Sequence, residues 1–160
     1  MNNEFYQVEY QNEAFVKRLD PSFYHPDYTA VPFPQKVMEP VHKAAKLVKN
    51  TPDKDRKYRY ISLSSINREL GTIKTDKKLV EYSDLPTRGK YGTVVEKGDV
   101  LISRNIKQYI NVIIEHDIDQ AVASNSFIVL RPRVNINSKL LSLIFNLDYV
   151  KHQLERYSYG

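Results

Sequence analysis

The stretch Y-S-D-L-P-T-R-G-K-Y-G-T-V-V-E-K-G-D-V-L-I-S-R, residues 82–104, followed by A-S-N-S-F-I-V-L-R-P-R, residues 123–133, decides how this chain is read. Each segment holds a short apolar run, residues 100–102 and 127–130, bounded by small polar residues and arginines. Runs of that length between turn formers predict short buried strands rather than helices. Lys97, Gly98 and Asp99 form a turn that feeds directly into the first run. Cationic and amide side chains held at a rigid sheet edge suit a surface that grips a polyanion and touches base edges.

Working outward, residues 94–114 predict strands broken at Gly98 and around residues 105–108, and residues 120–130 two more with a kink at Asn125 or Ser126. Residues 59–63 read as a strand, residues 64–67 as a turn, and Gly71 closes the next turn. Residues 82–92 read as a loop, fixed by Pro86 and loosened by Gly89 and Gly92. The clearest helical pattern covers residues 35–49, where Val37, Met38, Val41, Ala44, Ala45 and Val48 share one face. Residues 138–146 form a second amphipathic pattern with Asn137 or Ser138 as its N-cap, and residues 147–157 continue as another helical segment. Helix, many short strands, then helices predicts an α+β fold: a twisted, mostly antiparallel multi-stranded sheet flanked by helices. With no internal repeat and no linker, residues 1–160 are expected to form a single domain.

Composition bounds the function. Hydrophobic residues make up 41% of the chain, enough for a folded core, and the net charge of +5 is compatible with a nucleic-acid partner without demanding one. There is no cysteine, hence no disulfide framework and no thiolate metal site. No apolar run reaches the ~20 residues that cross a bilayer, and the N-terminus M-N-N-E-F-Y-Q lacks a signal-peptide pattern. A soluble cytoplasmic protein without membrane contact is expected. Twelve tyrosines with no tryptophan favour contact surfaces, although most tyrosines at strand positions are half-buried packing residues.

Catalytic chemistry finds little support. His25, His42, His116 and His152 share no ligand spacing, so no metal is expected. Ser103 follows an apolar strand but sits in no G-x-S-x-G turn. Five glycines leave no G-x-G-x-x-G cofactor loop, so neither a cofactor nor a small-molecule substrate is expected, and the chain is not read as an enzyme. Nucleic-acid contact remains. Arg88 and Lys90 flank Gly89 in a loop after proline, and Arg104, Asn105, Lys107 and Gln108 follow a strand. Arginine suits bidentate contact with guanine, and Asn or Gln with adenine. Ser65 and Asn67 form a third polar turn, Ser124 and Asn125 a fourth. Any one of these turns is explained equally well by turn chemistry alone.

The motifs R-L-D-P-S-F-Y-H-P-D-Y, Y-I-S-L-S-S-I with G-T-I, L-P-T-R-G-K, G-D-V-L-I-S-R and A-S-N-S-F-I-V-L-R-P occur in that order from Arg18 to Pro132. The set resembles the target recognition domain of the specificity subunit of type I restriction–modification enzymes. That resemblance implies a domain reading one half of a bipartite site in double-stranded DNA. It also implies two partners that carry the chemistry, a DNA adenine methyltransferase (modification) subunit and a restriction/translocase subunit. The chain departs from the family pattern where S-T-G-F is replaced by Ser124-Asn125-Ser126-Phe127, and where an arginine–proline pair is replaced by residues 106–108. Set against that resemblance, residues 1–160 are expected to hold one recognition domain without the family's spacer helix. The alternative expectation is a protein-interaction remnant that docks a methyltransferase subunit without reading DNA.

Overall fold

A computed structural model describes residues 44–74, 78–105, 107, 109–118, 120–133 and 136–158. The chain divides into two compact units, of which one is Glu39–Asn146 and the other includes Leu147–Gly160. The strands are β1 (Ala45–Leu47), β2 (Lys57–Ile61), β3 (Ile66–Asn67), β4 (Thr72–Ile73), β5 (Val80–Glu81), β6 (Thr93–Val95), β7 (Val100–Ser103), β8 (Asn111–Ile113), β9 (Ala121–Ala123) and β10 (Phe127–Pro132). The helices are α1 (Thr87–Lys90), α2 (Ser138–Asn146) and α3 (Asp148–Ser158).

The strands assemble into a four-stranded sheet of order β1-β10-β7-β8, a second four-stranded sheet of order β5-β2-β9-β6, and the hairpin β3-β4. The first sheet is antiparallel throughout, with Leu101 opposite Val129 and Val112. In the second, β2 and β9 run parallel, with Tyr60 opposite Val122, while the β2–β5 and β6–β9 pairs are antiparallel. The α+β class and the mostly antiparallel pairing are as expected; the expected sheet is split in two.

The split follows from packing. Leu101, Val112 and Val129 of the first sheet join Ile61, Val95, Ala121 and Ala123 of the second in one buried cluster. Side chains alternate across a strand, so Val100 and Ile102 point away from that cluster. Both are buried nonetheless. Helix α2 packs on β8 and touches β7 and β10, with Leu141 and Phe145 buried. Cover on two faces is why V-L-I-S reads as an unbroken run instead of an alternation. The second sheet repeats the device. Tyr58, Leu85 and Val122 form a smaller cluster with Tyr60, Val80, Tyr82 and Val94 packed on it. Tyrosines supply much of that layer, and buried Tyr58 satisfies its hydroxyl by accepting the Asp53 N–H at 2.6 Å.

The helix expected over residues 35–49 needs correction. Ala44 is helical, but Ala45–Leu47 is strand β1, and residues 35–43 lie outside the described residues. Ala45 pairs with Pro132 and Leu47 with Leu130, and the Val48 N–H donates to the Val129 carbonyl at 2.9 Å. The open edge of β10 satisfies those backbone groups, and this tertiary pairing overrides a local helical preference. Ala45 and Val48 are buried as expected, though by the sheet and not by a helical stripe, and Leu47 is exposed. Helix α2 begins as expected: the Asn137 side-chain oxygen accepts the Leu140 N–H at 2.8 Å. Helix α3 lies within the other unit, and its first turn carries an Lys151–Asp148 ion pair at 3.5 Å.

Candidate nucleic-acid interface

Strands β2 and β9 are parallel, so their carboxyl ends lie together, and the turn after β9 is a meeting point for other segments. The Ser124 N–H donates to the carbonyl of Ile61 at the end of β2, at 2.8 Å. The Asn125 N–H donates to the Arg88 carbonyl in α1 at 2.9 Å, and the Arg104 N–H, just past β7, donates to the Ser126 carbonyl at 2.8 Å. The Arg88 guanidinium approaches the Ser126 hydroxyl at 3.5 Å. One tight turn thus ties α1, the exit of β2 and the exit of β7 at a common end of both sheets. The turn is itself braced, because the Ser124 hydroxyl accepts the Ser126 N–H and donates to the Ser126 hydroxyl, each at 3.0 Å.

Close backbone contact seats α1. Gly89 is buried, and a Cβ there would press on the Tyr60 ring. At Gly92 a Cβ would overlap the Ala123 carbonyl oxygen, so only glycine allows the chain to pass β9 at this distance. The loop after β7 is shaped by its own side chains. The Ser103 hydroxyl accepts the Ile110 N–H at 2.9 Å and donates to the Asn105 carbonyl at 3.2 Å, and the Asn105 side-chain oxygen accepts the Lys107 N–H at 3.1 Å.

The ten candidate residues divide by environment. Arg88, Arg104, Asn105, Lys107 and Asn125 are exposed. Among the described residues no carboxylate forms an ion pair with Arg88, Arg104 or Lys107. Lys90 is half-buried, donates to the Ser83 carbonyl at 2.8 Å and stands 5.9 Å from the centre of the Tyr82 ring. Ser124 and Ser65 are buried, and the Ser65 hydroxyl accepts the Ser62 N–H at 2.9 Å, so both serines hold turns. Asn67 accepts the N–H groups of Glu69 and Leu70 in the β3–β4 hairpin, so its side-chain oxygen holds that turn. Gln108 lies outside the described residues.

Two other features compete for the polar motifs. Arg131, in the second diagnostic stretch, clamps Asp99 of the first with Nε–Oδ1 2.8 Å and Nη2–Oδ2 3.0 Å, and its third nitrogen meets Glu96 at 2.9 Å. The Asp99 carboxylate holds the guanidinium above its already high range. That arginine is structural. At the opposite ends of β2, β6 and β9 lies an open cleft of about 640 Å3, lined by Asp53, Arg56, Glu96, Lys97, Asp117 and neighbours. Among the described residues no group of three or more His, Asp or Glu side chains is arranged to hold a metal, and no helix is long and apolar enough to cross a membrane.

Two solved structures align with part of this chain. The crystal structure of an HsdS subunit from Thermoanaerobacter tengcongensis aligns over 61% of this chain and 25% of its own, with 20% identity and a TM-score of 0.48. A chain from a structure describing complex assembly and conformational transition of the type I R-M system aligns over 70% of this chain and 29% of its own, with 19% identity and a TM-score of 0.59. The second likeness establishes a shared fold, and the chain matches less than a third of the length of either relative. No family model and no curated protein matches the chain.

Proposed function

We propose that this chain is a DNA target recognition module of a type I restriction–modification specificity subunit, without catalytic activity of its own. In this reading it engages one half of a bipartite site in double-stranded DNA. Methylation and cleavage are left to a modification methyltransferase and a restriction/translocase subunit, and the setting is cytoplasmic. The observation that carries the reading is the convergence on the Ser124–Ser126 turn of segments bearing the exposed cations Arg88 and Arg104, with Asn105, Lys107 and Asn125 beside them. The fold shared with a type I R-M protein supports it.

The roles follow from chemistry. Arg88 and Lys107 are phosphate contacts, which carry affinity and its salt dependence. Arg104, Asn105 and Asn125 are the base-reading candidates, because guanidinium and amide groups match base edges in pairs of hydrogen bonds. Lys90, bonded to Ser83, and buried Ser65 and Ser124 keep the loops in shape.

The test is selection of a duplex from a random library by the purified chain at low salt, followed by affinity measurements on the selected and scrambled duplexes. A preferred duplex whose binding weakens as salt rises supports the reading. Equal, salt-insensitive or absent binding overturns it. The alternative, docking to a methyltransferase subunit without DNA reading, is favoured by exposed Leu140 and Leu143 on α2. It requires capture of that subunit by a chain that ignores every duplex.

A further inference from the structure

The proposed DNA surface contains an aromatic side chain that composition and charge do not single out. Tyr91 is 74% exposed, the highest value among the large apolar and aromatic side chains described. A lone exposed tyrosine is ordinary on a protein surface, so its setting decides whether it has a role. Tyr58, Tyr60 and Tyr82 all belong to the second core cluster. Tyr91 makes no such contribution.

Its backbone is held firmly. The Tyr91 N–H donates to the Thr87 carbonyl at 3.2 Å, which closes the turn of α1, and the next residue is Gly92, pressed against the Ala123 carbonyl. Positions three apart on a helical turn share a side. Gly89 and Gly92 therefore form the side against the sheet, and Arg88 and Tyr91 share the neighbouring, solvent-facing side. Arg88 is the residue whose carbonyl receives Asn125. A rigid scaffold thus offers a cation and an aromatic ring side by side, next to the turn where the other exposed polar residues gather. A polyanion alone would call for the cation. The added ring fits a ligand that alternates phosphates with apolar groups, and duplex DNA displays such a group in its major groove, the thymine methyl.

We propose that Tyr91 is a base-contacting, specificity-determining residue whose ring packs against a thymine methyl while Arg88 beside it holds the backbone. This rests on the DNA-reading function proposed above. A ring packed on a methyl group neutralises no phosphate, so it adds selectivity without adding to the salt slope. It fills no core position, so its removal leaves folding intact.

The experiment uses the full chain and the duplex that it selects. Parent, Tyr91→Ala and Arg104→Ala are each titrated with that duplex and with a series in which single thymines are replaced by deoxyuridine, which removes the methyl alone. Expected for Tyr91→Ala are an unchanged unfolding temperature, an unchanged salt slope and an affinity for the selected duplex reduced roughly tenfold, the scale of one base contact. One deoxyuridine position should weaken the parent yet leave Tyr91→Ala unaffected, the non-additivity that marks a direct contact. If Tyr91→Ala binds like the parent, or no thymine position is coupled to it, the inference is overturned while an Arg104-dependent preference leaves the DNA reading standing. If the parent selects no duplex, both fall.

Discussion

Asp99, at the head of β7, is fully buried and is clamped by Arg131 near the end of β10, with hydrogen bonds of 2.8 and 3.0 Å. The same carboxylate accepts the Glu96 N–H at 2.9 Å, which ties the turn at Gly98 into the pair. A buried charge is tolerated when its lone pairs are satisfied in this way, and losing one partner strands the other.

Arg131→Met should therefore destabilise the domain by about 3–5 kcal/mol. Lys97→Ala, an exposed change in the same turn, should cost less than about 0.5 kcal/mol. Urea unfolding followed by far-UV circular dichroism compares the two. A wild-type midpoint for Arg131→Met would show that the clamp adds nothing.

Gly92 and Gly89 should respond unequally to alanine. At Gly92 the new Cβ meets the backbone carbonyl of Ala123, which cannot turn aside, whereas at Gly89 it meets the edge of the Tyr60 ring. Gly92→Ala should lose about 3 kcal/mol or more, and Gly89→Ala about 1 kcal/mol, because overpacking costs depend on what can yield. Thermal unfolding of both variants decides the order, and the reverse order would contradict the close approach.

Tyr109 gives the domain an alkaline limit. Its hydroxyl donates to the Phe145 carbonyl at 2.6 Å, and burial pushes its pKa up to about 12 from the ordinary 10.0, against a smaller lowering by Asn111. The folded state thus keeps a proton that the unfolded chain gives up. The resulting stability is complete below pH 10.0 and is lost as pH rises towards about 12. Between these limits Tyr109→Phe should lose less stability with rising pH than the parent does. At neutral pH it should be weaker by about 1 kcal/mol for the missing hydrogen bond. Parallel pH slopes for the two proteins would rule out the buried phenol as the cause.

Phosphate and base contacts should separate on titration with salt. Lys107→Ala is expected to weaken all duplexes alike and lower the slope of log affinity against log salt by about 1. Arg104→Ala and Asn125→Ala should each cost about 1–3 kcal/mol on the selected duplex and relax preference at one base pair. Lys90→Ala should act mainly on stability, through the lost contact to Ser83. An equal, sequence-independent loss for Lys107→Ala and Arg104→Ala, with Asn125→Ala binding like the parent, would mean that the surface senses charge alone.

Local signals were enough for several elements. The apolar runs of β7 and β10, the turn at Gly98, and α2 with its Asn137 cap follow from side-chain type and spacing within a few residues. The α+β class followed from the order of those elements, and Arg104 and Lys107 were legible as motif residues past a strand, whereas Arg88, read as part of a loop, lies in the helical turn α1.

Only the tertiary structure decided the rest, because the deciding partners are distant in sequence. Ala45–Leu47 became a strand because β10 offered it an edge, although its own spacing suited a helix. The parallel pairing of β2 with β9 brings the exits of those strands to one end, and no local pattern encodes which strands pair. Chemically similar residues then parted by environment. Arg131 was committed to a buried carboxylate while Arg104 was left in solvent, and Ser65 was spent on a turn while Asn125 stayed exposed. Residue type sets what a side chain can do, but desolvation and available partners, both products of the fold, set which of those possibilities it takes.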